Sequence, residues 1–222
     1  MTPDILYEDN HVLVAVKPQN LPSQADISQD ADLLNILKQY IKEKYKKPGA
    51  VYLGLVHRLD RPAGGVMVFA RTSKAAARLA AGLKDNSFEK KYYAIVTGEI
   101  PKAGTLKDYL LKDSRTNISR VVRDGTEGAK YAELSYEVKA TAGGYSLLDI
   151  ALKTGRSHQI RVQFANIGAP LVGDVKYIGA KNARLCLWAY ELSFVHPTKK
   201  ERMVFTSLPP QIFPWEMFEV EM

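Results

Sequence analysis

Short apolar runs broken by tight polar turns fill most of this chain, and only a few stretches carry the three-to-four spacing of a helix. Ile5-Leu6-Tyr7 and Val12–Val16 read as two strands around the turn Glu8-Asp9-Asn10, after which Lys17-Pro18 and Leu21-Pro22 open an extended loop. Asp32 is placed to cap a helix with Leu33, Ile36, Leu37 and Tyr40 on one face; Lys42, Lys44, Lys46 and Lys47 crowd its tail, and Pro48-Gly49 ends it. Val51–Val56 and Val66–Ala70 read as buried strands, with Arg61-Pro62-Ala63-Gly64-Gly65 reversing the chain between them. Ser73 then caps a second helix, whose Ala76, Leu79, Ala80 and Leu83 face the strands.

The run Lys90–Gly98 is a strand with Tyr92, Ala94 and Val96 on one face by its period of two, so Lys90 and Tyr92 point the same way. From Leu106 the segments Leu106–Leu111, Ile118–Val122, Tyr131–Val138 and Tyr145–Leu152 alternate with turns at Asp124-Gly125 and Gly143-Gly144, the pattern of an antiparallel meander. Beyond Thr154-Gly155, the spacing of Ile160, Phe164 and Ile167 predicts a short helix carrying Arg156, His158 and Arg161, stopped by Gly168 and Pro170. Ala183–Val195 and Met203–Thr206 read as strands flanking His196-Pro197-Thr198, and Pro209-Pro210 leads to an apolar tail over Ile212–Phe218. No repeat, linker or low-complexity tract divides the chain, which reads as one domain over 1–222 with no separate N-terminal domain.

Composition narrows the partners. The 31 Lys and Arg against 24 Asp and Glu leave a net charge of +7, which suits a polyanionic partner such as nucleic acid or an anionic membrane surface. The lysine-rich tail of the first helix is then either a solvated end favoured by the helix dipole or a contact for RNA. Arg115, Arg120 and Arg123 in the meander loops suit solvent or phosphate equally. No run reaches the ~18 apolar residues of a membrane span, and the start lacks the pattern of a secretion signal, so a cytoplasmic protein is expected. Cys186, the single cysteine, sits in an apolar stretch and behaves as a small hydrophobe. His11, His57, His158 and His196 lack metal-ligand spacing, so no metal is expected.

The candidate chemistry centres on Asp60, a carboxylate in a turn between two apolar runs, flanked by His57, Arg58 and Arg61. Gly64 and Gly65 would let a ligand approach the main chain there. A loop aspartate that only accepts backbone hydrogen bonds is the structural alternative. Tyr92 is in the same way either a packed strand tyrosine or a ring against a ligand, and the basic helix is either a surface or an anion site.

Three ordered motifs bear on this choice: His57-Arg58-Leu59-Asp60-Arg61 with Gly65; Lys90-x-Tyr92-x-Ala94-x-Val96-x-Gly98; and Thr154-Gly155-Arg156-Ser157-His158-Gln159-Ile160-Arg161 with Gly168-x-Pro170 and Gly173-Asp174 beyond. Together they resemble the RluA-type family of pseudouridine synthases, which isomerise chosen uridines in structured RNA. The opening ILYEDNHVLVAVKP and the closing LSFVHPTKKERMVFTSLPP are also similar to that family's ends. Pro62-Ala63-Gly64 stand where the family commonly has Asp-Thr-Ser, and Trp188 stands where a His is frequent.

The resemblance implies an α+β fold around a long, mostly antiparallel mixed sheet with flanking helices and a central RNA-binding cleft, working as a monomer with no cofactor. It implies that Asp60 acts at the ribose of a flipped-out uridine, either attacking the anomeric carbon or removing a sugar proton, so that the glycosidic bond breaks and the uracil rejoins through carbon 5. Tyr92 would face the uracil and take part in the final proton loss. Arg161 would pair with Asp60, while His57, Arg58, Arg61, Lys90, Arg156 and His158 would serve phosphate or supporting contacts. The RNA is ribosomal or transfer RNA, and loops are the expected targets because an unpaired base leaves its stack at lower cost. A non-catalytic RNA-binding protein gives no reason for a carboxylate amid basic residues. A glycoside hydrolase needs a second carboxylate, and the other two motifs hold none.

Overall fold

The computed structural model describes residues 2–83, 87–177 and 184–220, which fall into two compact units. The chain passes from the first to the second inside strand β5, between Lys90 and Lys91, and returns inside β10, between Trp188 and Ala189.

The first unit holds β1 (Asp4–Glu8), β2 (Val12–Lys17), α1 (Leu33–Lys44), β3 (Gly54–Leu55), β4 (Gly64–Ala70), α2 (Ser73–Gly82) and β11 (Arg202–Thr206), with most of β10 (Leu187–Val195). Its strands lie in the order β1-β2-β4-β10, with β3 on β4 and β11 on β10. Strands β2 and β4 are buried along their whole length, which is why they are unbroken apolar runs rather than alternating ones. Val12, Val14, Val66, Val68 and Ala70 form a core with Ala75 and Leu79 of α2 and with Phe88, Leu192 and Phe194. Asp32 caps α1 by accepting from the Asn35 amide at 3.0 Å, as its position predicts. Thr72 rather than Ser73 caps α2; Ala75 and Leu79 are buried in the core, Ala76 and Leu83 pack against it as expected, and Ala80 is exposed.

Two expectations need correction here. Val51–Val56 is not a strand: only Gly54 and Leu55 pair, against Ala70 and Phe69, and the rest runs as irregular chain. The glycine pair does not open the backbone to a ligand at Gly65. That residue has φ +121°, and a side chain there would collide with the carbonyl and backbone of Ala189 in β10. Gly65 is thus needed for the close approach of two strands.

The second unit is the expected meander, in the order β5-β9-β8-β6-β7: β5 (Phe88–Thr97), β6 (Ala103–Asp113), β7 (Ile118–Val122), β8 (Lys130–Ala142) and β9 (Tyr145–Leu152). The pairings β5–β9, β8–β9, β6–β8 and β6–β7 are all antiparallel. Strand β6 extends past both ends of the predicted Leu106–Leu111, because it pairs with β8 along its first part and β7 along its last. Helix α3 (Gln159–Asn166) covers the outer strands, where Val162 packs with Leu110 and Ala132. Strand β10 starts at Leu187, and the predicted start at Ala183 lies outside the described residues. The apolar tail forms only a short 3-10 turn, Trp215–Met217, with Trp215 and Phe218 buried. Each unit joins antiparallel strands to flanking helices, and the class is α+β. Among the described residues no helix is long and apolar enough to cross a membrane.

Candidate active site

Asp60 stands at the start of the turn leading into β4, and its backbone is fixed on both sides. The Ser23 hydroxyl donates to the Leu59 carbonyl at 2.9 Å and accepts from the Leu59 amide at 3.2 Å. The Ala63 amide donates to the carbonyl of Asp60 itself at 3.0 Å. Lys17 Nζ donates to the Arg61 carbonyl at 3.1 Å, and Gln19 Nε2 to the Pro62 carbonyl at 3.2 Å. Four consecutive residues are therefore held by groups from the Lys17–Ser23 loop and from the turn itself, which limits where the Asp60 carboxylate can point.

Lys17 is the unexpected member of this group. It is 0% exposed, and its ammonium also donates to the carbonyls of Pro18 at 3.0 Å and Leu21 at 2.7 Å. Three N–H donors thus meet three carbonyl oxygens, which lets a buried ammonium persist. Burial nevertheless lowers its pKa to about 7, with the nearby Asp60 charge acting in the opposite direction. The sequence does carry a signal for it, a lysine closing the unbroken apolar run Val12–Val16.

The basic neighbours of Asp60 have separate fates. His57 is buried, accepts from the Val68 amide at Nε2 (3.2 Å) and packs edge-on against Phe88. Its pKa is lowered to about 3 by burial, with the Lys90 charge adding to the effect, so it is a neutral core histidine. Arg61 turns away to the Asn20–Asp30 loop, donating to the Asn20 carbonyl and the Ser28 hydroxyl and pairing with Asp30. Arg58 is exposed. Lys90 is partly buried, and loss of water lowers its pKa.

In the second unit, the register aligns Tyr92 of β5 with Ile150 of β9 and Tyr136 of β8. Tyr136 packs edge-on against Phe164 of α3, so Tyr92 lies on the sheet face that carries α3 and Arg161. Tyr92 is buried.

The basic helix also needs correction. Helix α3 begins at Gln159, leaving Arg156 and His158 in the loop before it, and its residues Gln159–Phe164 are buried. The loop is tied to β8: Gln159 accepts from the Thr154 hydroxyl and the Arg156 amide and donates to the Glu133 carbonyl, while Arg156 Nε donates to the Tyr131 carbonyl. His158 enters the helix with φ 55°, in the left-handed region. Its Nδ1 meets the Tyr177 hydroxyl at 2.8 Å, and the same hydroxyl accepts from the Ser119 amide at 3.0 Å.

Arg161 is 4% exposed and donates from Nε and Nη2 to the two oxygens of Asp174, each at 2.7 Å. Asp174, 1% exposed, also accepts from the Lys176 amide at 3.0 Å and the Tyr177 amide at 3.3 Å. The Tyr177 ring lies 5.3 Å from the Arg161 guanidinium carbon, within cation–π range. The turn that presents Asp174 needs Gly173, since a side chain there would meet the Arg184 carbonyl. Asp174 belongs to the third motif, but nothing in the sequence marks it as the partner of Arg161, and Tyr177 carries no signal. Among the described residues no group of three or more His, Cys, Asp or Glu side chains could hold a metal ion.

Comparison with known proteins identifies the family. Residues 11–166 match the RNA pseudouridylate synthase family. The chain is 34% identical over 229 residues to ribosomal large subunit pseudouridine synthase D of Pseudomonas aeruginosa, covering 96% of this chain and 70% of that protein. It is 31% identical over 221 residues to ribosomal large subunit pseudouridine synthase C of Buchnera aphidicola, covering 94% and 68%. Among solved structures, human RNA pseudouridylate synthase domain containing 4 superposes with a TM-score of 0.79 at 23% identity, covering 96% of this chain and 91% of that one, a likeness of fold. This chain belongs to the RNA pseudouridine synthase family, whose members are isomerases.

Proposed function

We propose that this protein converts uridine to pseudouridine in structured RNA of the large ribosomal subunit, with Asp60 as the reacting carboxylate. The anchoring of four consecutive backbone positions around Asp60 carries this reading. A reaction at ribose needs a carboxylate held at one angle to a flipped-out nucleotide, and so rigid a frame is more than a turn aspartate requires. Asp60 either displaces N1 of the uracil from the anomeric carbon and is itself displaced by carbon 5 after the uracil turns, or removes a sugar proton as the carbon–nitrogen bond breaks and returns it as the bond to carbon 5 forms; carbon 5 then loses its proton and N1 ends protonated. Tyr92, on the sheet face that carries α3, is the ring set against the uracil and the hydroxyl for the final proton loss. Arg161 is the catalytic arginine of this reading, held in place by its paired contacts to Asp174. Arg58 and Arg156, both exposed, are placed for phosphates, while His57 is packing.

The protein works as a cytoplasmic monomer with no cofactor in this reading. The names of two relatives share the large ribosomal subunit, which puts its RNA ahead of transfer RNA as substrate. The test is chemical mapping of pseudouridine in total RNA from cells with and without the gene. Loss of one or a few large-subunit sites is the expected result, and an unchanged map contradicts the proposal.

A further inference from the structure

Three segments of the first unit converge at Asp9, at the end of the unit where β2 begins. Asp9 accepts from the amides of His11 and Val12, from the Tyr7 hydroxyl, and from His196 Nε2 at 2.9 Å, which brings the β10–β11 turn to it. Arg71, just before α2, donates to the Asp9 carbonyl and to Glu8, and Glu8 in turn accepts from Lys44 and Tyr40 of α1. The two carboxylates are thus consumed internally: despite partial burial, their hydrogen bonds and cationic neighbours lower both pKa values.

The outward charge at this end is positive. Lys44, Lys46 and Lys47 lie in a wholly exposed stretch, Lys74 is exposed in the first turn of α2, and Lys199 and Lys200 are exposed in the β10–β11 turn. Glu43 and Glu201 are exposed beside them; with Lys44 already paired to Glu8, five cations stand against two anions. The first turn of α2 holds no acidic residue, so its positive helix end is unopposed. The Tyr45 ring, also exposed, is held beneath the Arg71 guanidinium at 4.8 Å, which keeps the lysine-rich end of α1 in place.

Resting on the proposed reaction, we infer that this end of the first unit is a second RNA surface, which takes the phosphates of the duplex flanking the target loop. Charge complementarity selects the occupant, and A-form duplex is bound through phosphates and shape rather than base edges. Strand β2 fixes the spacing: it starts beside Asp9 and ends at Lys17, whose ammonium binds the carbonyl next to Asp60. At a rise of ~3.3 Å per residue, its length puts the basic end roughly 17 Å from the Asp60 turn. A flipped nucleotide at Asp60 does not extend so far, whereas the stem that bears its loop does.

The test uses a hairpin RNA with an unpaired uridine in its loop, alongside the loop strand alone. Lys46, Lys47, Lys74 and Lys200 are changed together to Gln; a control protein carries Lys102→Gln, Lys107→Gln, Lys112→Gln and Lys139→Gln in the second unit, an equal loss of charge. The first variant should bind the hairpin at least about tenfold more weakly near 0.1 M salt, with a salt slope shallower by about 2–3, as expected when several phosphate contacts are lost. Its binding of the loop strand, and binding of both RNAs by the control, should stay within about threefold of wild type. Equal losses in the two variants, equal losses on the two RNAs, or no loss at all would each overturn the inference. Uridine conversion by wild type in the same samples separates the two claims: a localised binding loss without conversion removes the proposed reaction and leaves the surface.

Discussion

Arg161 and Asp174 meet edge to edge, Nε and Nη2 of one on the two oxygens of the other, with both side chains almost wholly buried. Removing one member of such a pair strands the other's charge away from water and costs about 3–5 kcal/mol. Asp174→Asn should therefore lower the urea midpoint sharply and reduce activity. The double change Arg161→Met with Asp174→Leu should recover much of the stability, because apolar groups leave no charge behind, but none of the activity. An active double variant would show that the pair serves only the fold.

Lys17 makes stability depend on pH in alkali. Its pKa is about 7 in the folded protein, below the ordinary lysine value of 10.5. Between those values the unfolded chain holds a proton that the folded one has lost, so stability rises with pH. The cost of burying the charge is full below about pH 7 and is relieved above it. Urea unfolding at pH 6.5 and 9.5 should show wild type gaining on Lys17→Met by on the order of a few kcal/mol. Parallel behaviour of the two proteins would mean that Lys17 stays charged throughout.

For His57 the dependence falls on the acid side. Its folded pKa is about 3 against 6.5, so the unfolded chain takes up a proton between those values and the folded one does not. Stability from this residue is present above about pH 6.5 and drains away as pH falls toward 3. His57→Gln can still accept from the Val68 amide and cannot be protonated there. It should be less stable than wild type at pH 7 yet lose less on going to pH 4.5; an equal loss would place the acid sensitivity elsewhere.

Tyr92→Phe retains the buried ring and removes only the hydroxyl. Should that hydroxyl take the last proton, pseudouridine formation slows by about a hundredfold or more, the usual scale for an acid–base group, with little change in RNA affinity or melting temperature. Wild-type turnover by the variant would reduce Tyr92 to packing.

The sequence showed those parts whose physical cause is local. The apolar segments Tyr131–Val138 and Tyr145–Leu152 around the Gly143-Gly144 turn, the Asp32 cap and the unbroken run Val12–Val16 each follow from backbone geometry and burial of nearby residues, and each formed. Val51–Val56 misled because an apolar run also suits a segment laid over a core without a full strand partner. Gly65 looked like room for a ligand, since nothing in its neighbourhood announces Ala189 more than a hundred residues later. Shorter separations along the chain, 36 and 44 residues, hid the anchoring of Asp60 by Ser23 and Lys17, and those of 19 and 58 residues hid the ties from Tyr177 to His158 and Ser119. Motif residues were legible by type and order, but not the direction of each side chain, so buried His57 and exposed Arg58 looked alike.

Asp60→Asn tests the central claim most directly. The amide keeps the shape of the carboxylate, and the backbone anchors at Leu59, Arg61 and Pro62 do not involve the changed group. Fold and RNA binding should survive, while the step at ribose loses its reacting oxygen. The measurement is pseudouridine formed in a single turnover, with enzyme in excess over a large-subunit RNA fragment, alongside the binding constant for that RNA. Asp60→Asn should give no product above the no-enzyme level, with affinity equal to or tighter than wild type. Product formed by Asp60→Asn at a rate near that of wild type would contradict it.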